Sequence, residues 1–399
     1  NAFAENMTGV QESSFAFGQT KYTPVYKSDY YWGYVPYAYL PENPSKVPGG
    51  LAIGQNTYVR TGGLMVGTHN YKGKLGDVEV DSADTGKNAK SVFTTTLGTN
   101  SFNSGAFSTI TGDYSIASSD YEGGNSTSAA GKNFGATIMG SLNSIESSTA
   151  SSNYSGVANS IVGTANRTFN SNGSLIFGAG NEITNSVTTI SAPSDGGVSA
   201  QALQKTLMQT VKDSNGGGAT LAIGGGNKID HAVRSQAIGV NNTLTGNLYH
   251  KDGLPSLGIP DVNEYSAQYN MVDGYNNNVA NVNHAYVIGT NNNIQGKTFS
   301  DATKDGVLSE TDREKAKKDD NLIVIGDNHT LANDVSNNII LGTADKTLTT
   351  SASNVVMIGH NADAQKEGGV ALGSGSVAST DKDVEGYDPL KKGASKSDD

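Results

Sequence analysis

An apolar-x-apolar triplet closed by glycine recurs along the chain, and no other feature limits its possible folds as tightly. Copies end at Gly18, Gly54, Gly67, Gly98, Gly140, Gly163, Gly178, Gly224, Gly239, Gly289, Gly326, Gly342, Gly359 and Gly373, with weaker copies at Gly112 and Gly274. Where nothing intervenes, adjacent copies lie 13 to 17 residues apart. A helical face would repeat apolar residues at i, i+3, i+4 and i+7. Here they alternate, as at Leu221 and Ile223, and much of the company is β-branched. That pattern predicts strands.

The residues after the glycine supply the rest of the unit. Asn often stands third and an apolar residue fifth, as in Asn143/Ile145, Asn181/Ile183, Asn227/Ile229, Asn242/Leu244, Asn277/Val279 and Asn292/Ile294. Gly and Asn tolerate positive φ and suit a tight corner. The corners fall at Gly54, Gly178, Gly224, Gly239, Gly289, Gly326, Gly342, Gly359 and Gly373. One repeat of 14–15 residues is then a strand, a corner, a second short strand and a return corner. Stacked coils form a parallel all-β roll in which Asn side chains bond along a ladder. Only 35% of the residues are hydrophobic and 50 are glycine, so each coil has a thin interior. One apolar strand face stays uncovered, and self-association is the remedy.

Composition excludes several functions. There is no cysteine, which removes thiol catalysis and cysteine metal sites. A net charge of −11 disfavours nucleic acid as a partner. The basic run Arg313–Lys318 is interleaved with acids and reads as a solvated face. No apolar run approaches the ~20 residues of a membrane helix. Ala2-Phe3-Ala4 has the pattern of the tail of a secretory signal, which fits an exported protein. No H-E-x-x-H or G-x-S-x-G motif is present, and the chain reads as a non-enzyme. His329 and His360 follow corner glycines, where exposed polar residues are expected.

At this point the residues resemble a family. "ATLAIGGGNKI" and "SQAIGVNNTL" are similar to coils of the YadA-like head of trimeric autotransporter adhesins. "GGVALGSGSVAS" followed by "GYDP" resembles the passage from head to neck. The resemblance covers most of residues 10–389. It implies a left-handed parallel β-roll and a homotrimer, with the apolar residue before each glycine facing the trimer axis. On this sequence those are Ile53, Ile223, Ile238, Ile288, Ile325, Leu341, Ile358 and Leu372. It also implies a bacterial cell-surface location, with anchoring to the outer membrane through downstream parts. A head over residues 1–379 and a neck-like segment over 380–399 follow. The implied function is multivalent attachment to host matrix, host-cell or other bacterial surface receptors, whether protein or glycan.

Insertions interrupt the roll at about 22–48, 72–90, 186–218, 246–268 and 297–320. The first holds Tyr26, Tyr30, Tyr31, Trp32, Tyr34, Tyr37 and Tyr39. Such residues suit a receptor contact; an end cap for the first coils is the other reading. In the third, Ala200, Leu203, Leu207 and Val211 predict a short helix that Ser199 caps and Gly216–Gly218 ends. In the fifth, Asp301, Thr303, Asp305 and Asp312 take positions 1, 3, 5 and 12 of a calcium loop, with Gly306 and Leu308 at 6 and 8. A solvated acidic turn is the alternative there. Two other functions stand beside the adhesin. A polysaccharide-acting β-helix enzyme would need longer, three-stranded coils carrying aligned carboxylates. A purely structural spacer would tolerate loss of the insertions.

Overall fold

The computed structural model describes residues 3–5, 15–17, 19–22, 51–59, 63–70, 94–103, 105, 107–118, 133–147, 155–190, 200–249, 264–300, 307–381, 384–388 and 393–396. The chain divides into two compact units, Asn1–Val233 with His250–Val262, and Arg234–Tyr249 with Asn263–Asp399.

In the first unit the triplets form parallel strands in glycine register. Gly54 faces Gly67, Gly67 faces Gly98, Gly163 faces Gly178, and Gly178 faces Gly224. The short strands after the corners pair in the same sense, Ser144–Glu146 with Arg167–Phe169 and Arg167–Phe169 with Glu182–Thr184. Alternation sends the middle residue of each triplet inward. Ile110, Ile138, Ile161, Ile176 and Ala222 meet Ala117, Ile145, Thr168, Ile183 and Ile229 from the second strands, all buried.

The second unit repeats the plan. Gly239 faces Gly274 and Gly274 faces Gly289. Ile288, Ile325, Leu341, Ile358 and Leu372 follow one another in register. Its interior is Ala237, Val272, Val287, Val324, Ile340 and Met357 against Leu244, Val279, Ile294 and Leu331. Near the end, Glu385–Asp388 pairs antiparallel with Gly393–Lys396.

The corner explains the glycine. At Gly289 φ is +139°, and an added Cβ would lie 1.9 Å from the carbonyl oxygen of Gly326 in the next coil. No side chain fits that approach. The stacked carbonyls need donors, and the third-position Asn provides them. Asn143, Asn166 and Asn181 Nδ2 donate to the carbonyls of Gly163, Gly178 and Gly224 at 2.7, 2.7 and 2.8 Å. Their Oδ1 atoms accept from the next Asn: Asn166 N and Nδ2 both donate to Asn143 at 3.0 Å. The ladder recurs through Asn242, Asn277 and Asn292. Ser101 and Ser115 hydroxyls replace Asn at two rungs, reaching Gly112 and Gly140. His329 replaces it at another, its Nε2 lying 2.6 Å from the Gly342 oxygen. The expectation of an exposed His329 is therefore wrong, since the residue is 2% exposed. An imidazole is long enough to complete the same rung, and the ladder draws it inside.

A second line of buried Asn holds the return corner. Asn159, Asn270 and Asn338 accept at Oδ1 from the backbone N–H of Ser174, Ala285 and Val355 at 2.9–3.1 Å. The 186–218 insertion leaves from this corner and returns to it. Gly178 and Gly224 pair directly although the 186–218 segment lies between them. Asn172 ties the two stems, accepting from Thr188 N and Gly218 N and donating to Thr188 O. The predicted helix of this insertion runs Ala200–Asp213. Asn215 follows at φ 51°, with Gly216 N bonded to Val211 O. Irregular sequence spacing thus leaves the coil register intact.

Two outcomes are expected. Asn277→Ala leaves the Gly289 carbonyl and the Asn292 amide without partners. It should destabilise by about 2–6 kcal/mol in chemical unfolding, at ~1–3 kcal/mol per orphaned buried group. Burial lowers the His329 pKa below its ordinary 6.5, outweighing the Gly342 carbonyl and Asp327. The unfolded chain then binds the extra proton, so stability is greatest above 6.5 and falls as pH drops below it. His329→Asn, which keeps the rung without the titration, should flatten that fall in melting curves taken across the range.

Candidate interaction surface

Because middle residues point inward, the flanking residues of the described triplets point outward. In the second unit this makes two neighbouring apolar columns. One is Ile238, Ile288, Ile325, Leu341, Ile358 and Leu372, interrupted by Asp273. The other is Met271, Tyr286, Ile323, Ile339, Val356 and Val370. Ile325 is 42%, Ile358 40% and Leu372 61% exposed, large values for side chains of this kind. In the first unit the column before the glycine carries Ile53, Met139, Val162, Phe177 and Ile223, with Phe177 56% exposed. Its neighbour starts with Leu51 and Leu64, is hydroxylic through Thr95, Thr109, Thr137 and Ser160, and ends with Leu175 and Leu221. All eight residues expected at a shared axis are therefore outward, partly or fully exposed in the single chain.

The second strands present a polar face instead. Arg167 bridges Glu146 and Glu182 at 2.9 and 3.0 Å, on three successive rungs, and lies over the Phe169 ring. Further along, Asp230 takes hydrogen bonds from Thr184 and Asn185 and lies 3.0 Å from His231 Nδ1. Burial alone would raise the Asp230 pKa, but these partners outweigh it and hold the carboxyl at about 2. In the second unit the equivalent positions are Thr243, Asn278 and Asn293. Each stack has one largely apolar and one polar broad face, with Asp273 the charge that interrupts the apolar columns of the second unit.

A smaller polar group occupies the return corner of the second unit. Tyr269 stacks on His284 with centroids 4.9 Å apart, and Arg234 Nη1 donates to its hydroxyl at 3.1 Å. His284 Nδ1 lies 2.9 Å from Asp319 Oδ1. Sequence reading had no signal for this group, since the four residues are far apart in the chain and meet only through coil register.

The aromatic candidates Tyr26, Tyr30, Tyr31, Trp32, Tyr34, Tyr37 and Tyr39 lie outside the described residues, as do Asp301, Thr303 and Asp305. Asp312 is described and buried. It sits in the first turn of the helix Glu310–Ala316, where its carboxylate accepts from Ser300 and Ser309 hydroxyls at 3.1–3.5 Å. Leu308 packs with Ala316 and Phe299. Arg313–Lys318 is thus partly a packed segment, with Ala316 buried and Lys315 bonded to Thr298 O and Asp334. Among the described residues no three His, Cys, Asp or Glu side chains gather as a metal site.

No family model, curated protein or solved structure matches the chain.

Proposed function

We propose that the chain is the non-enzymatic adhesive head of a trimeric autotransporter adhesin, exported to a bacterial surface. The observation that carries this reading is the column Ile288, Ile325, Leu341, Ile358 and Leu372. A soluble chain rarely leaves so long a row of branched apolar side chains in water. Three copies placing these columns around one axis would dry them. The left-handed winding and the number three come with the family resemblance.

Attachment would then work by multivalency. Each insertion appears three times on a stiff β-roll, and weak individual contacts add through high effective concentration. The tyrosine-rich segment of residues 22–48 is the proposed contact for a protein or glycan receptor, because Tyr and Trp offer rigid area with a polar tip.

Two experiments test this. The chain lacks cysteine, so a single Ile358→Cys reports cleanly on the column. Oxidation should give covalent dimers of Ile358→Cys and none of Thr349→Cys, which lies on the second strands. Equal yields from both would remove the shared-axis assignment. A variant lacking residues 24–48 should keep its oligomeric mass yet lose at least tenfold in apparent affinity on arrays of matrix proteins and glycans, about 1.4 kcal/mol or more. Unchanged binding would point to another insertion as the contact, and no binding by either form to a structural spacer.

A further inference from the structure

The stems of the 297–320 insertion meet at Lys297 and Asp320, whose side chains are 3% and 7% exposed. Lys297 Nζ lies 2.5 Å from Asp320 Oδ2. Lys297 N is held by Asn281 O at 3.0 Å. Asp320 is held from both sides of its own residue: its N–H donates to Asn283 O at 3.0 Å, and Asn283 N–H donates to Oδ2 at 2.7 Å. Asn283 Nδ2 further fixes this stem through the carbonyls of Ala316 and Lys318 at 2.8 and 3.0 Å. The amine and the carboxyl are thus fixed on rigid backbone, against one another, away from water.

Such a pair is unlike a surface ion pair. Burial lowers the Lys297 pKa and raises that of Asp320, each outweighing the attraction of its partner. Asp319 and Asp334 act on Lys297 in the opposite sense, favouring the ammonium. Moving one proton from Nζ to the carboxylate gives a neutral amine facing a neutral acid, the form that low dielectric favours. A carbonyl C–O bond is about 1.2 Å long, so Nζ lies within about 3.7 Å of Cγ, close to the ~3–3.5 Å of a near-attack contact. The Asn283 N–H already points at Oδ2, where negative charge develops when a nucleophile adds to Cγ.

We propose that Lys297 and Asp320 condense to an intramolecular amide that closes the base of the insertion covalently. The Nζ lone pair forms a bond to Cγ, giving a tetrahedral adduct whose oxyanion is held by Asn283 N–H. A proton from Nζ passes to the departing hydroxyl, the Cγ–O bond breaks, and one water leaves. Neither oxidant nor activated co-reactant is needed. The result is a loop whose ends cannot separate, so that pulling force entering the insertion passes to the roll through a covalent bond.

Mass spectrometry of the purified, folded chain tests this. The intact mass should be lower than the sequence requires by one water. Trypsin should release Asp252–Lys304 joined to Asp319–Lys346, with Lys297 uncleaved. Water loss alone does not suffice, because Asp-Gly steps such as Asp273-Gly274 lose water by cyclising; the joined peptide is the decisive product. Lys297→Arg keeps the cation for the ion pair and cannot form this amide. It should retain full mass, give no joined peptide, and show the insertion opening earlier in limited proteolysis. A folded native chain that keeps its full mass after prolonged incubation at neutral and mildly acidic pH overturns the proposal and leaves a buried ion pair. Water loss from Lys297→Arg equal to that of the native chain overturns it as well.

Discussion

Everything in each stack depends on one close approach, the corner glycine of one coil against the carbonyl of the next. That approach sets three demands at once. The residue must lack Cβ, its φ must lie in the range that L side chains avoid, and the carbonyl must find a donor inside a bend too tight for backbone pairing. Asn three residues on meets the third demand and reaches its own neighbour above, so each rung of backbone is tied to a rung of side chain. Ser101, Ser115 and His329 show that the requirement is for a donor at that distance rather than for Asn itself.

This economy has a consequence for the outside. The coil interior holds one residue from each triplet and one from each second strand, many of them Ala, Val or Ile. Little apolar area is buried per coil, and much of the chain's apolar content is left on the opposite side of the same strands. Confining Glu146, Arg167 and Glu182 to the other broad face keeps charge away from that surface. The arrangement makes physical sense when the apolar columns are shared between chains. Asp273 is the exception within them, flanked in register by Ile238 and Ile288.

The repeat was legible because its demands are local. Glycine at the corner, Asn third and an apolar residue fifth follow from φ, hydrogen bonding and strand alternation, and each leaves a mark in the sequence. The helix Ala200–Asp213 was legible for the same reason, from its spacing and its terminal glycines. What the residues did not announce is set by register across long gaps. Asn172 and Asn283 look like any other Asn, yet Asn172 ties both stems of one insertion and Asn283 holds the returning stem of another. Tyr269 and His284 stack because a full coil separates them, and Lys297 finds Asp320 only after the intervening segment has folded back. His329 was misjudged because position suggested exposure, whereas the vacant rung below Asn292 required a buried donor.

The mass of the chain in solution, by light scattering across a wide dilution range, tests the account most directly. The account predicts three chains per particle, persisting at low concentration because the columns that hold them together run along the stack. A particle of one chain, 41.3 kDa, that stays soluble and binds no hydrophobic dye would contradict it. Those columns would then be a surface the chain keeps in water by itself, and the shared axis would have no physical basis.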